Sequence, residues 1–267
     1  MLGCPFPAFA RQMGTTYRKK DMVQCQRQHY PAGTVIPEHR HDYHQLLYAK
    51  DGLLVVHSPV GRWVVPPTRA IWMPAGTTHS SRCVGDVQQR NVSVELEAGF
   101  ELPSTPCAVE VGPLLRQLMQ AAETVTYPYD EDSRDGRVMR LIVDELQTLA
   151  VLPLHLPHPA DERLAAICAH ITAHPDDTAT LEQWATHTAL HVKTIQRLFT
   201  RELGMTFGQW RQRSRLLAGL ERLAQGLPVI DVALSLGYDS PSAFSAMFRK
   251  HFGLSPGAFF KPTGRLR

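Results

Sequence analysis

The sequence contains no apolar run long enough to span a membrane. Its 267 residues are 43% hydrophobic and 20% charged, and apolar residues never reach the roughly 18 in succession that a spanning helix needs. The first residues also lack a basic start followed by an apolar stretch, which is the pattern of a secretion signal. We therefore expect a globular, cytoplasmic protein without a membrane partner, long enough for two ordinary domains.

Cysteine is scarce, and its distribution excludes several classes of protein. The five cysteines are scattered and include no Cys-x-x-Cys pair: Cys4, Cys25, Cys83, Cys107 and Cys168. An odd, dispersed set argues against a disulfide framework and against a cysteine-ligated zinc site. Phosphate-binding loops, dinucleotide fingerprints and hydrolase triads are missing as well. These absences favour a protein that is not an enzyme.

The net charge is small but unevenly distributed. It is +3 for the whole chain, and the residues from 160 onward carry 13 Lys and Arg against 9 Asp and Glu. The first 159 residues carry 15 basic and 16 acidic side chains. This asymmetry permits nucleic-acid binding by the C-terminal part without requiring it.

The N-terminal half is rich in short β-type runs separated by Gly, Pro and Asp. The runs are Gln45–Tyr48, Leu53–His57, Trp63–Val65, Ala70–Met73 and Val92–Leu96. Turn signals at Lys50-Asp51-Gly52 and Pro66-Pro67 predict a small antiparallel β-barrel or sandwich. Apolar residues then recur at helical spacing, which predicts two closing helices over residues 113–126 and 134–151. Residues 1–152 therefore form the first predicted domain.

A proline-rich segment separates this domain from the rest of the chain. Pro153, Pro157 and Pro159 cannot continue a helix, so we expect a linker over residues 153–160. Residues 161–267 show helical patterns throughout. The predicted fold class is therefore α+β in two domains, with a barrel and two helices followed by an all-α domain.

Two helix-turn-helix units are predicted in the all-α domain. In the first, Thr180-Leu-Glu-Gln183 is a capping box, the turn lies near 189–191, and Gly204 ends the second helix. Two short helices joined by a tight turn are typical of a helix-turn-helix. The outer face of the second helix carries side chains suited to bases and phosphate: Lys193, Thr194, Gln196, Arg197, Thr200 and Arg201.

The second unit repeats the first further along the chain. A short helix over 229–236, with Ile230 and Ala233 inward, leads to a turn at 237–239, and Ser240-Pro241 opens the next helix. The outer face of that helix shows Ser242, Ala243, Ser245, Ala246, Arg249 and Lys250. One long connector helix over 206–225 would hold the two recognition helices for successive major grooves, ~34 Å apart on DNA.

The run from Ile230 to Pro256 resembles the signature of AraC-type transcription regulators. An apolar helix, Gly-Tyr, Ser-Pro, Phe and Phe-Gly-x-Ser-Pro occur in that order, and the resemblance covers roughly residues 163–262. It implies a sequence-specific regulator that binds double-stranded DNA. The sequence does not distinguish an activator from a repressor.

The resemblance also implies roles for individual residues. Lys193, Gln196 and Arg197 would read bases in the first unit. In the second unit Ser242, Ala243 and Ala246 would face the groove, with Arg249 and Lys250 on phosphate. The family often has a larger polar residue where Ala246 stands, and small side chains are poor at hydrogen-bonded readout. We therefore expect the first unit to carry more of the direct specificity.

The N-terminal half resembles the cupin barrel. Gly33, His39-Arg-His41 and Gly52 follow its first motif, and Pro74-Ala-Gly76-Thr-Thr-His79 is similar to its second. In metal cupins the matching histidines and an acid bind one divalent ion, so His39, His41 and His79 are a candidate site for Zn, Fe or Ni. The sequence departs from the pattern at Gln45, which replaces the acid, and at Cys83, which replaces an Asn. The alternative is a partly polar pocket without metal.

Two functions remain open for this half. The first is an effector-sensing domain, because a barrel interior can hold one small molecule. Its candidate pocket residues are His39, His41, Gln45, Tyr48, Trp72 and His79. The alternative is a metal-dependent cupin enzyme or metal sensor that carries a DNA-binding tail, against which Gln45 counts.

Two further features of this domain stay predictions. In cupin-containing relatives of the family the two closing helices form the dimer interface, so we expect a homodimer, although these helices could instead cover only their own barrel. Residues 1–24 form either an ordered arm or a loose one.

Overall fold

The structure is a computed structural model that describes residues 23–67, 69–95, 102–152 and 154–260. The question of an N-terminal arm falls outside these residues, apart from Val23 and Gln24, which begin the first strand.

The chain divides into two units, each with its own core. The first consists of residues 1–58 and 65–153, and the second of residues 59–64 and 154–267. Among the described residues, no helix combines the length and the hydropathy needed to cross a membrane.

An antiparallel sheet dominates the first unit, as predicted. The strands of the first unit are β1 (Val23–Tyr30), β2 (Val35–His39), β3 (His44–Ser58), β5 (Arg69–Met73), β6 (His79–Val94), β7 (Cys107–Glu110) and β8 (Val151–Leu152). Strand β4 (Gly61–Val65), except for its last residue, and strand β9 (His155–Pro157) belong to the second unit. In the first unit the hydrogen-bonded order is β1-β6-β3-β5-β7-β8, with β2 also paired to β6.

The two long strands, β3 and β6, pair with each other through two register shifts between Ala49 and Leu53. The two ends of β6 have different neighbours on the other side. Strand β1 pairs with residues 87–94 of β6, and β2 pairs with residues 79–82. The prediction of a turn at Lys50-Asp51-Gly52 was wrong, since these residues form a bulge inside β3. Gly52 has φ +73°, and a Cβ there would lie 2.4 Å from the Asp86 carbonyl oxygen, so the bulge requires glycine.

Two helices cover one face of this sheet. They are α1 (Pro113–Ala122) and α2 (Arg134–Gln147), each four residues shorter than predicted. Their apolar faces bury Leu115, Met119 and Ile142 in one cluster with strand residues that include Leu46 and Val92. At roughly 25 cal/mol per Å² of buried apolar area, burial of this cluster stabilises the first unit.

Helices make up most of the second unit. They are α3 (Glu162–Ala173), α4 (Leu181–Thr188), α5 (Val192–Leu203), α6 (Phe207–Ala224), α7 (Val229–Ser235), α8 (Pro241–Phe252) and α9 (Pro256–Phe259). The segment predicted as a linker differs from expectation, because its residues His155–Pro157 form β9 and pair with Gly61–Trp63. The prolines permit this because a short two-stranded ladder needs few backbone donors.

Candidate nucleic-acid interface and effector site

The first helix-turn-helix unit consists of α4 and α5. The predicted capping box is present, with the Thr180 amide donating to Gln183 Oε1 at 2.7 Å and the Gln183 amide donating to Thr180 Oγ1 at 3.3 Å. Ala189 ends α4 with φ 53°, a left-handed turn that redirects the chain into α5. Ile195 and Phe199 are buried on the inner face of α5.

The opposite face of α5 is open to solvent. Lys193, Gln196, Arg197 and Arg201 are exposed, and Thr194 is half-buried. Arg201 donates to Glu202 Oε1 at 2.8 Å, so its charge is partly committed within the protein. Lys193 and Arg197 have no carboxylate partner among the described residues, which leaves both cations free to contact DNA.

The second unit consists of α7 and α8 and has the same construction. Ser240 caps α8 through the Ala243 amide at 3.2 Å, with Pro241 at the first helical position. The prediction that Ile230 points inward was wrong. Ile230 is 52% exposed, whereas Val232 and Ala233 are fully buried, so the buried stripe of the helix passes through Val232 and the predicted Ala233 and leaves Ile230 on the solvent side.

The predicted contact face of α8 is also accessible. Ser242, Ala243, Ala246, Arg249 and Lys250 are exposed and Ser245 is half-buried, whereas the apolar side chains of α8 are buried. This face offers small side chains near the helix start and two cations near its end. It therefore suits close approach to a groove wall and phosphate contact more than base recognition.

Arg215 of the connector helix α6 lies between the two helix-turn-helix units. Its guanidinium donates to the carbonyl oxygens of Pro175 at 2.7 Å and Asp177 at 3.0 Å, in the loop before α4. The same guanidinium lies 5.7 Å from the ring centre of Tyr238, in the turn of the second unit. One side chain thus links the loop that precedes the first helix-turn-helix to the turn of the second.

Two glycines allow close packing around this connector. A Cβ on Gly219 of α6 would lie 3.1 Å from the Phe244 ring of α8. Gly237, in the turn after α7, has φ +73°, and a Cβ there would lie 2.9 Å from the Asp176 carbonyl oxygen. Gly219 therefore lets α8 pack closely on the connector, and Gly237 lets the turn after α7 approach the loop before α4.

Three histidines meet at one end of the sheet in the first unit. The ring centres of His39 and His79 are 4.4 Å apart, and those of His39 and His41 are 4.8 Å apart. One ligand atom of each ring lies within 4.8 Å of the others. His39 Nδ1 lies 2.7 Å from the Pro37 carbonyl and His79 Nδ1 lies 2.9 Å from the Thr77 carbonyl. When Nδ1 donates to these carbonyls, each ring has its Nε2 lone pair free.

This donor set fits a divalent transition metal. Metal-binding histidines commonly donate the second ring nitrogen to a carbonyl, which fixes the tautomer of the ring. Burial, with smaller contributions from His39 and His79, lowers the pKa of His41 to about 4. Burial also lowers the pKa of His79. Three neutral imidazoles suit Zn, Fe or Ni.

The predicted effector pocket is divided between two faces of the sheet. Gln45 is buried on the face of the sheet away from the helices, which we call the inner face. The histidine cluster lies at the end of the strands. Tyr48 and Trp72 belong instead to the cluster under α1 and α2. Trp72 Nε1 donates to the Pro103 carbonyl at 2.9 Å, and the Tyr48 hydroxyl faces Arg116 of α1. Their assignment to the pocket was wrong, because strand neighbours three residues apart point to opposite faces.

Several polar residues on the inner face were missed. Gln89 and Asn91 of β6 are buried there, with Gln28 and Tyr30 of β1 beside them. The signal was present in the sequence, since Gln24, Gln26 and Gln28 alternate at the period of a strand.

Comparison with known proteins agrees with this division of the chain. Residues 22–150 match the AraC-like ligand binding domain, and residues 184–262 match a helix-turn-helix domain. The chain is 31% identical over 223 residues to the HTH-type transcriptional regulator NimR of Escherichia coli, a match that covers 84% of this chain and 81% of NimR. It is 28% identical over 138 residues to RipA of Corynebacterium glutamicum, which covers 52% of this chain and 39% of RipA.

Among solved structures, ToxT from Vibrio cholerae aligns with 91% of this chain and 100% of its own, at 8% identity and a TM-score of 0.39.

A ligand-binding domain followed by two helix-turn-helix units defines a DNA-binding transcription regulator. The chain belongs to the AraC-type family of these regulators.

Proposed function

We propose that this regulator recognises a specific DNA sequence through α5 and α8, under the control of a small effector bound in the first unit. The observation that carries the proposal is the pair of solvent-exposed recognition helices, joined by a connector whose Arg215 bonds the loop before α4 and lies beside Tyr238 in the turn of the second helix-turn-helix. Because it acts on DNA, we place its activity in the cytoplasm, and we assign it binding rather than catalysis.

The two recognition helices divide the work of binding. Lys193, Gln196 and Arg197 present long donors to base edges, for which Arg to guanine and Gln to adenine are the favoured pairings. Arg249 and Lys250 carry free charges at the end of α8, where they bind phosphate. Arg201 acts as a weaker phosphate contact, because Glu202 shares its charge.

Selection of binding sites from a random DNA library tests this proposal. The full chain is expected to enrich one motif with two parts about 10 bp apart, since two linked recognition helices read successive turns of the groove. A library that shows no enrichment over many rounds would contradict sequence-specific binding. A single short motif would contradict the role of α8.

The effector acts on DNA binding only if it binds two states of the protein with different affinity. The inner face of the sheet is the proposed binding region, with Gln45 and the three histidines as its polar groups. A homodimer is proposed through α2. Leu141 is 46% exposed there, between Arg137, Arg140 and Asp144. Charges of both signs around an exposed leucine suit a two-fold contact, in which Arg of one copy meets Asp of the other.

A metal at His39, His41 and His79 is the second candidate, favoured by the two Nδ1 contacts to backbone carbonyls. His39 and His79 would offer Nε2 and His41 one of its ring nitrogens to the ion, which when bound would act as a Lewis acid or as the sensed species. The chain would then act as a metal sensor or a metal-dependent cupin enzyme that carries a DNA-binding domain.

Metal content distinguishes the two candidates. The protein is purified without chelator and without a metal-binding tag, and His39→Ala is prepared in parallel. About one equivalent of Zn, Fe or Ni that is lost in His39→Ala would support the metal site, because three ligands are the usual minimum for such ions. Protein that is free of these metals would contradict it and leave an organic effector.

A further inference from the structure

A row of uncharged polar side chains crosses the inner face of the sheet. The strand register places Gln28 of β1 opposite Gln89 of β6, and Gln45 of β3 opposite Ser93 of β6. Residues that face each other on paired strands share one face of the sheet. Gln45, Gln89, Asn91 and Ser93 are all buried. We call these four residues, together with Gln28, the inner polar row.

The hydrogen bonds of this row leave two side-chain carbonyl oxygens without a donor. Gln89 Nε2 donates to Asn91 Oδ1, Asn91 Nδ2 donates to Gln28 Oε1 at 3.4 Å, and the Tyr30 hydroxyl also donates to Gln28 Oε1. Gln45 Oε1 and Gln89 Oε1 have no partner, although the two residues are only 5% and 2% exposed. A buried carbonyl without a donor is costly, and folded proteins rarely keep one without a reason.

The face around these acceptors is uncharged. Along β1, β3 and β6 the positions on this face include no Asp, Glu, Lys or Arg among the described residues. Arg69 of β5 shares the face but is paired with Glu110 at 3.0 Å. Leu47, Ile71 and Met73 supply apolar surface beside Gln45. A charged ligand would lack a counter-ion here and would pay a large desolvation cost.

We propose that the inner polar row recognises the effector, and that the effector is an uncharged small molecule with N–H or O–H groups that donate to Gln45 Oε1 and Gln89 Oε1. This inference rests on the proposed effector-controlled function and names the chemistry of its ligand. Gln45 lies opposite Ser93 and Gln89 opposite Ala49, so the two glutamines are about 13 Å apart along the strand at 3.3 Å per residue. The ligand therefore has donors at both ends of an apolar body.

Thermal melting of the full chain tests this chemistry with three probes of one shape. 1,4-Benzenedimethanol is neutral and has a hydroxyl donor at each end, its dimethyl ether is neutral without donors, and terephthalate is a dianion. At about 10 mM, above the millimolar Kd expected for so small a ligand, we expect only the diol to raise Tm, by roughly 2 °C or more. Equal shifts from the three probes, or no shift from the diol, would overturn the proposal.

Single substitutions assign the effect to the row. Gln45→Met removes an unpaired carbonyl, so we expect the ligand-free variant to melt above the wild type and to lose the response to the diol. Gln89→Met also removes the donor to Asn91 Oδ1, so it is expected to lose the response without a gain in Tm. Gln88→Met, at the exposed neighbouring position on β6, is expected to keep the response. A lower Tm in ligand-free Gln45→Met, or a diol response that both glutamine variants retain, would assign the glutamines to structure alone.

The same proteins distinguish failure of this inference from failure of the proposed function. Specific DNA binding by the wild type is measured on the selected site without any probe. Its presence alongside a failed diol response overturns only the ligand chemistry. Its absence overturns the DNA-binding function, whatever the melting curves show.

Discussion

A single backbone position determines how closely the turn of the second helix-turn-helix approaches the loop before α4. Gly237 combines a left-handed φ of +73° with backbone atoms of Asp176 at the distance where a methyl group would collide. Gly204, which ends α5, has a similar φ of +65° but open space around its Cα. Comparison of the two glycines therefore separates the free-energy cost of a side chain at positive φ from the cost of steric contact with neighbouring backbone.

Substitution of the two glycines by alanine measures both costs. Gly204→Ala is expected to lower the free energy of unfolding by roughly 1–2 kcal/mol, the strain of a left-handed alanine. Gly237→Ala is expected to cost about 1–3 kcal/mol more, because the added methyl meets backbone that cannot move aside. Urea denaturation of both variants checks this, and equal losses would contradict the close approach of Gly237 to Asp176.

At the scale of elements, the capped starts of the helix-turn-helix helices were readable from the sequence, whereas the ends of α1 and α2 and the faces of the strands were not. The capping box at Thr180 and the cap at Ser240 depend on residues only a few positions apart, so local patterns predicted them correctly. Gly52 gave the same local signal as a turn, but its conformation depends on Asp86 of the neighbouring strand. Short-range patterns cannot report such a partner.

The candidate site shows the same limit. The two histidine motifs predicted a cluster, and the structure brings His39, His41 and His79 together. Tyr48 and Trp72 were assigned to the wrong face, because the sequence does not state which face of the sheet the helices cover. The carbonyls of Pro37 and Thr77, which orient the histidine rings, belong to loop geometry that no residue pattern specifies.

Helix α2 is the element for which an interface is predicted. Leu141→Arg is expected to convert a dimer into a monomer, because it buries an unpaired charge in the contact and repels Arg137 and Arg140 of the second copy. Sedimentation velocity at micromolar concentration measures the change. Leu234→Arg, an equally exposed leucine on α7, serves as the control and is expected to leave the dimer intact. A wild type that sediments only as a monomer would contradict the interface.

The whole molecule combines a polar inner face in the first unit with two recognition helices in the second. The family match and the exposed faces of α5 and α8 make DNA binding the shared endpoint of both proposals for the first unit, whether effector or metal. The two proposals differ in the species, a small effector or a metal ion, that shifts the protein toward or away from its DNA-bound state. This species must bind the two states of the protein with different affinity. DNA recognition is therefore the claim on which the rest depends.

The most direct test of that claim is the Kd of the full chain for its selected site and for a scrambled duplex, across a series of salt concentrations. Arg197→Ala is expected to weaken binding to the selected site by ~1–3 kcal/mol and to change the scrambled duplex little. Lys250→Ala is expected to weaken both alike and to reduce the salt slope by about 1. Arg134→Ala, an exposed arginine on α2, is expected to leave both unchanged. Equal losses on the two duplexes for Arg197→Ala would place this side chain on phosphate, and no loss for either variant would contradict the assigned interface.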